Sequence, residues 1–332
     1  MTQMEKLIKV LADGEFHSGE DLGHVIGVTR AAVWKQLQKL TDLGLLVESV
    51  KGKGYRLPGG LDLLDAKAIQ QLLKPGGISH TSIHYFESLD STNAEVLRRM
   101  AVGESTGCVV LAEMQTAGRG RRGREWLSPY GCNIYLSVGW RFQGGVQALQ
   151  GLTLALGVEA VRALEDAGVK DIKLKWPNDL LYAGRKVGGI LVEVEGDLAG
   201  ECHCAIGLGL NLGMSLRSTG ESIDQPWVDL MQIAERPIRR NPLVAHILMH
   251  WLPLIEQYEQ TGFSNYQMSW QAMDNYANQP VSVLLGPKTV RGISRGVDEE
   301  GNLLLESDGA IKTFAGGEIS LRPTEAHSRQ SE

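Results

Sequence analysis

No run of about 18 apolar residues, the length a membrane-crossing helix needs, interrupts the 332 residues, so no spanning segment is expected. The opening stretch, residues 1–10, mixes Glu5, Lys6 and Lys9 with its apolar residues and lacks the unbroken hydrophobic region of a secretion signal. A cytoplasmic location is the resulting expectation. Cysteine is scarce: Cys108, Cys132, Cys202 and Cys204 are too scattered for a disulfide framework, and a reducing compartment keeps them as thiols. Cys202-His203-Cys204 has no second ligand pair at zinc-site spacing. His246 and His250 stand one helical turn apart, but no H-E-x-x-H arrangement contains them, and Leu248, Met249 and Trp251 read as a packed helix. A phosphate loop ending in Gly-Lys-Ser/Thr is missing, which excludes a standard P-loop ATPase. Positive charge is not in excess either. A net charge of −6 excludes indiscriminate coating of nucleic acid and confines any DNA contact to a local patch.

Such a patch lies in the first sixty residues. A first helix is expected over 2–12 on Met4, Leu7, Ile8 and Leu11. Ser18 opens a second, with Asp21 at the capping-box spacing. Thr29 caps a third over 30–43, with Ala32, Val33, Leu37 and Leu40 on one face and Arg30, Lys35, Gln36 and Lys39 outward. A strand over 45–50, the turn Lys51-Gly52-Lys53-Gly54 and a return strand over 55–57 complete the order of a winged helix-turn-helix. Arg30, Lys35, Lys39, Lys51, Lys53 and Arg56 outweigh Asp42 and Glu48, so the excess charge falls where phosphates would lie. Arg30, Lys35, Gln36, Lys39, Lys51, Lys53 and Arg56 are the candidate DNA-binding residues. A helical protein-interaction module is the plainer alternative.

Pro58-Gly59-Gly60 marks a boundary, giving a DNA-binding domain over 1–60. A mixed α/β unit over 61–276 follows. Helical periodicity covers 61–73, 92–101 and 147–167, and strand patterns cover 83–88, 109–113, 133–140, 173–176, 186–194 and 202–210. Asn241-Pro242 reads as a cap and first position for a helix over 243–260. From 277 to 323 the pattern turns to short strands, 281–285, 289–296, 303–306 and 311–314, which predict a small all-β barrel. Residues 324–332 read as a disordered tail.

Two motifs carry chemistry. Gly118-Arg119-Gly120-Arg121-Arg122-Gly123-Arg124 combines pliable backbone with guanidinium groups suited to phosphate or carboxylate. Its glycines fit G-x-G-x-x-G, yet Trp126, Ser128, Pro129 and Gly131 follow instead of the helix that a dinucleotide site requires. The bland reading is a basic linker. Lys175-Trp176-Pro177-Asn178-Asp179 is followed by Lys186 and Val187-Gly188-Gly189-Ile190. Pro177 breaks a strand and Gly184 turns a hairpin that brings Asp179 near Lys186. Gly188 and Gly189 within a strand signal the close approach of a ligand or another backbone. Taken singly, Asp179 and Lys186 are also compatible with a surface ion pair.

In this order, Ser91-Thr92-Asn93, the arginine-glycine run, Lys175-Trp176-Pro177-Asn178-Asp179 and Lys186 with its glycines resemble the biotin protein ligase family. The amino-terminal winged helix and a carboxy-terminal SH3-like barrel are similar to its bifunctional members, the biotin operon repressors. The likeness runs from about Leu7 to Arg322 and is weakest over 211–227, where ligand contacts are not transferred. It implies that Ser91, Thr92, Asn93 and Gln115 line a biotin site, with Arg119, Gly120 and Arg121 closing over it, Lys186 on the carboxylate and Gly188 and Gly189 beside it. Arg124, Trp126, Asn178 and Asn211 are placed toward the nucleotide. Asp179 either holds magnesium or helps deprotonate the acceptor lysine, and no dedicated metal site is expected.

The resemblance implies ATP and Mg2+ as co-reactants, biotinyl-5'-AMP as intermediate, and the biotin carboxyl carrier protein of acetyl-CoA carboxylase as acceptor. Operator DNA and a ligand-promoted homodimer, joined through the strand from Gly189 to Val194 and the turn after Glu195, are its further implications. The chemistry is consistent with these residues. Joining a carboxylate to a phosphate crowds two anions, which Lys186 and the loop arginines would offset. A reactive anhydride must then be kept from water. A lipoate-type ligase and a metabolite-sensing regulator without catalysis are the competing readings.

Overall fold

The structure is a computed structural model that describes residues 2–78, 81–197, 200–216, 223–316 and 319–323; the tail expected over 324–332 lies outside these. Three helices open the chain, α1 (Gln3–Leu11), α2 (Gly19–Ile26) and α3 (Arg30–Asp42), followed by a hairpin of β1 (Glu48–Val50) and β2 (Gly54–Arg56). Thr2 caps α1 in a reciprocal box with Glu5. The box expected at Ser18 forms differently: Ser18 accepts the Asp21 N–H, while the Asp21 carboxylate takes the Ser18 hydroxyl at 2.7 Å. Aspartate is one methylene shorter than the glutamate of such a box and stops at the hydroxyl. Leu7, Ile8, Leu11, Leu22, Val33, Leu37 and Leu40 bury together, and Tyr130 from the next unit joins their cluster.

The central unit begins with α4 (Ala66–Leu73), capped by Asp65, so the helix expected from 61 starts later. It continues through β3 (Ile83–Phe86), α5 (Thr92–Ala101), β4 (Cys108–Ala112), β5 (Ile134–Phe142), α6 (Leu152–Asp166), β6 (Ile172–Lys175), β7 (Asp179–Tyr182), β8 (Arg185–Gly196) and β9 (Cys202–Leu210). The helix expected over 147–167 is divided, because Gly151 at φ 71° separates a short 3-10 turn from α6. A short α7 (Leu230–Ile233) precedes α8 (Arg240–Thr261) and α9 (Ser264–Met273). One mixed seven-stranded sheet runs in the order β3-β4-β5-β9-β8-β7-β6. Only β3 and β4 pair in parallel.

α8 starts before the expected 243. Asn241 does not cap it: its Oδ1 accepts the Asp65 N–H at 2.8 Å and its Nδ2 donates to the Leu63 carbonyl at 3.0 Å. The residue therefore ties the linker to α8. Beside it Arg240, 1% exposed, meets fully buried Glu113 at 2.5 Å and also donates to the Asp62 and Asn133 carbonyls. Glu113 in turn accepts the Leu64 N–H at 2.7 Å.

The C-terminal strands are β10 (Pro280–Leu285), β11 (Lys288–Val297), β12 (Leu303–Ser307), β13 (Ala310–Phe314) and β14 (Ile319–Pro323). They form an antiparallel sheet in the order β13-β12-β11-β10-β14. This antiparallel unit is the small all-β domain that was expected; β13 and β14 end its ladder, and β14 was not among the expected strands. Val281, Val283, Val297, Leu303, Leu305 and Leu321 belong to the same buried cluster as the central sheet. Among the described residues no helix is long and apolar enough to cross a membrane.

Candidate active site and nucleic-acid interface

Ser91 caps α5, which places Thr92 and Asn93 in its first turn at the C-terminal side of β3. Thr92 donates through its N–H and hydroxyl to Gln115 Oε1, at 2.8 and 3.1 Å, and Gln115 Nε2 donates to Ser128 at 3.0 Å. Ser137 Oγ lies 2.7 Å from Thr92 Oγ1 and 2.6 Å from Asn93 Oδ1. Asn93 Nδ2 donates to the Leu191 carbonyl and, at 2.8 Å, to Glu193. Each expected residue of this group is thereby fixed by a neighbour, as a preorganised polar pocket requires.

The arginine-glycine run folds back on itself through Gly120 N–H to the Arg124 carbonyl and Trp126 N–H to the Gly118 carbonyl. It is an ordered loop. Arg121 reaches across the cavity and donates to Asn178 Oδ1 and to the Ile319 carbonyl of β14, each at 3.3 Å. Burial lowers the pKa of its guanidinium, opposed by Asp179. Asn178 lines the same cavity as Ser91, Arg124 and Trp126, and it braces Arg121.

Asp179 and Lys186 meet because β7 returns along β6, with Lys175 opposite Asp179, and then turns through Ala183 and Gly184 into β8. Both turn residues have positive φ, 48° and 75°, the left-handed pair that a tight hairpin turn uses. Lys186 Nζ stands 2.6 Å from Asp179 Oδ1, and Lys175 Nζ stands 3.6 Å from Asp179 Oδ2. Burial alone would raise the Asp179 carboxyl, but Lys186 and Lys175 outweigh it and hold the group below the usual carboxylate range. The Lys175 ammonium is depressed by burial, with Asp179 in opposition. Lys186 also sits 5.2 Å from the Trp126 ring centroid.

Ser91, Thr92, Asn93, Gln115, Arg119, Gly120, Arg121, Asp179, Lys186 and Gly189 line one cavity. A second cavity is lined by Asn211, Met214 and Trp227 and shares Arg124, Glu125, Trp126, Lys186 and Gln225 with the first. Gly188 is the residue not brought to the site. A side chain there would strike Leu210 and the Gly209 carbonyl, so strand packing rather than ligand approach requires that glycine. Sequence reasoning did not include Lys175 among the site residues and missed Gly207 and Gly209 of β9, which lie beneath Asn93 and the Trp126 ring. Two glycines alternating within a strand are the signal that was available. Ile319, Ser320 and Leu321 of β14 also line the first cavity, and no local pattern ties them to it.

In the amino-terminal module, Lys35 and Lys39 are exposed on α3, and Arg30 is exposed at its start. Gln36 is turned toward α1, where it donates to Gln3 at 3.5 Å. The wing turn exposes Lys51 and Lys53. Arg56 is engaged by Glu48 at 2.7 Å and stacks 4.4 Å from the Phe16 centroid, so its charge is the most compensated of the candidate set.

A helix-turn-helix module with a basic wing, joined to an α/β unit whose clustered cations line two contiguous cavities, defines a DNA-binding protein carrying a ligase-type site. Matches to known families agree: the helix-turn-helix domain over residues 3–56, the Biotin/lipoate A/B protein ligase family over 85–211 and the Biotin protein ligase C terminal domain over 276–322. The chain is 44% identical to the Bifunctional ligase/repressor BirA of Escherichia coli (strain K12) over 322 residues, 96% of this chain and 97% of that protein. It is 32% identical to the protein of the same name from Bacillus subtilis (strain 168), over 93% of this chain and 95% of that one. Among solved structures, Biotin protein ligase from Aquifex aeolicus in complex with biotin and ATP matches with a TM-score of 0.64 and 28% identity, covering 73% of this chain and 99% of that one. The chain belongs to the family of bifunctional biotin protein ligases and repressors.

Proposed function

We propose that this protein joins biotin to AMP at the expense of ATP, transfers the biotin to a lysine of the biotin carboxyl carrier protein of acetyl-CoA carboxylase, and binds operator DNA with the adenylate as corepressor. The observation that carries this reading is the pair of contiguous cavities sharing Lys186 and Trp126. Biotin occupies the first, against Ser91, Thr92, Asn93 and Gln115. ATP enters the second, against Arg124, Trp126 and Asn211. The carboxylate of one then meets the α-phosphate of the other beside Lys186, whose ammonium offsets the charge of two approaching anions.

A biotin carboxylate oxygen bonds to the α-phosphorus, the bond to the bridging oxygen breaks, and pyrophosphate leaves with that electron pair. Arg121, held across the cavity by Asn178 and Ile319, keeps water from the mixed anhydride. The acceptor amine then attacks the acyl carbon, AMP departs and the nitrogen loses a proton. Asp179 orients Lys186. Its lowered carboxyl is a weak base, and its two oxygens face Lys186 and Lys175. That arrangement does not fit a resident magnesium ion, so magnesium enters with the nucleotide as part of the substrate.

The repressor role uses a two-fold dimer spanning paired half-sites. β8 supports it, because β7 pairs with β8 only up to Gly189, leaving one edge from Leu191 to Gly196 without a strand partner among the described residues. Asn93 of the biotin cavity donates to Leu191 at the start of this edge. Pyrophosphate exchange into ATP tests the catalytic reading. Exchange dependent on biotin supports it, exchange dependent on lipoate or octanoate favours the related ligase, and none with any acyl substrate refutes it. Sedimentation with and without biotin and ATP tests the dimer, and a monomer under both conditions removes it.

A further inference from the structure

The buried face of α3 is made by Val33, Leu37 and Leu40. Ala31, Trp34, Lys35 and Gln38 form a stripe on the other side, at the i, i+3, i+4 and i+7 spacing that aligns side chains along one helix face. All four are exposed, and Trp34 is 56% exposed. Leaving so large an apolar ring in water is unfavourable, while Val33 beside it is fully buried. This stripe differs from the set Arg30, Lys35, Gln36 and Lys39: Gln36 faces α1 and bonds Gln3.

We propose that Trp34 is a sequence-reading residue of the DNA interface, its indole packing against a thymine methyl in the major groove. The proposal rests on the DNA-binding reading and deepens it. A major groove presents one apolar group on its base edges, the C5-methyl of thymine, beside donors and acceptors. The stripe has matching chemistry: Trp34 supplies an apolar surface, small Ala31 permits close approach, and Gln38 supplies an amide. Arg30, Lys35 and Lys39 of the same helix, and Lys51 and Lys53 of the wing, give this module further exposed positive charge. That charge favours duplex DNA over a second copy of the same basic face.

The test uses full-length protein with biotin and ATP, and duplexes selected from a randomised library by the parent chain. Each thymine is replaced in turn by deoxyuridine, which removes only the methyl. The expected result is a position in each half-site where deoxyuridine weakens the parent about fourfold, the order of one buried methyl. Trp34→Ala is expected to be insensitive there, with biotin transfer and the salt dependence of DNA binding unchanged, while Trp34→Phe retains the sensitivity. Identical deoxyuridine profiles for parent and Trp34→Ala overturn the proposal, as does a parent insensitive at every thymine. A change in the sedimentation of DNA-free Trp34→Ala also overturns it, assigning the ring to contact between copies. A parent that selects no duplex refutes the DNA-binding reading itself, and this proposal with it.

Discussion

Asp179 stands between two ammonium groups, with Lys186 at 2.6 Å and Lys175 at 3.6 Å. The pairing holds Lys186 at the junction of the two cavities, where it can serve both anions. Lys186→Ala is therefore expected to slow adenylate formation on the order of a hundredfold or more, the usual cost of removing one preorganised donor. Single-turnover release of pyrophosphate measures this, and normal turnover would exclude the assigned role.

Arg121 bridges the arginine-glycine loop, Asn178 and the backbone of β14. Arg121→Gly removes both tethers and adds backbone freedom. Activated biotin should then escape before the acceptor arrives, seen as increased labelling of unrelated proteins. Equal labelling by variant and parent would count against a retaining loop.

The wing lysines touch phosphate in the proposed complex. Replacing Lys51 and Lys53 together by alanine should weaken binding to all duplexes alike and flatten the logarithmic salt slope by about two. Titrations across a range of salt concentrations read the slope directly, and an unchanged slope would take the wing out of the interface.

Burial pushes the Asp274 carboxyl up to about 6 from the ordinary 3.8, against a hydrogen bond from the Tyr276 N–H. Its Oδ2 has no partner among the described residues. Between those two values the folded chain binds more protons than the unfolded one, so this group stabilises the fold below the lower value and loses that contribution as pH rises through the window. The loss is on the order of 2–3 kcal/mol. Denaturation of the parent against Asp274→Asn, from acid to neutral pH, should show this decline in the parent alone. Parallel curves would show that the carboxyl titrates normally.

Glu113→Gln leaves the Arg240 guanidinium buried without its counter-charge. Breaking such a pair costs about 3–5 kcal/mol, and chemical denaturation should show it. Restoration by a second change, Arg240→Met, would confirm that the lone charge is the cause, whereas an unaltered midpoint in Glu113→Gln would exclude it.

Local chemistry made much of the chain legible. Ser91 and its apolar periodicity fix α5 at the expected residues 92–101, and alternation fixes β9 at 202–210. The two motifs with the densest cations and glycines do meet in one cavity. Legibility failed where a residue's partner is distant in sequence. Asn241 has the look of a cap, but its amide is drawn to Asp65 and Leu63. Gly188 resembles a ligand-contact glycine, but Leu210 occupies the space that a side chain would take.

The sequence by itself determined most helices and strands, though not α7 or α9, together with the order of the three units and the residue types able to neutralise crowded anions, because capping, periodicity and turn chemistry act over a few positions. Tertiary structure alone decided that Lys186 is shared by two cavities, that β14 lines a pocket built mainly by the central unit, and that Trp34 remains exposed on α3. These depend on which surfaces meet after long-range packing, and no short window of residues contains both sides of such a contact.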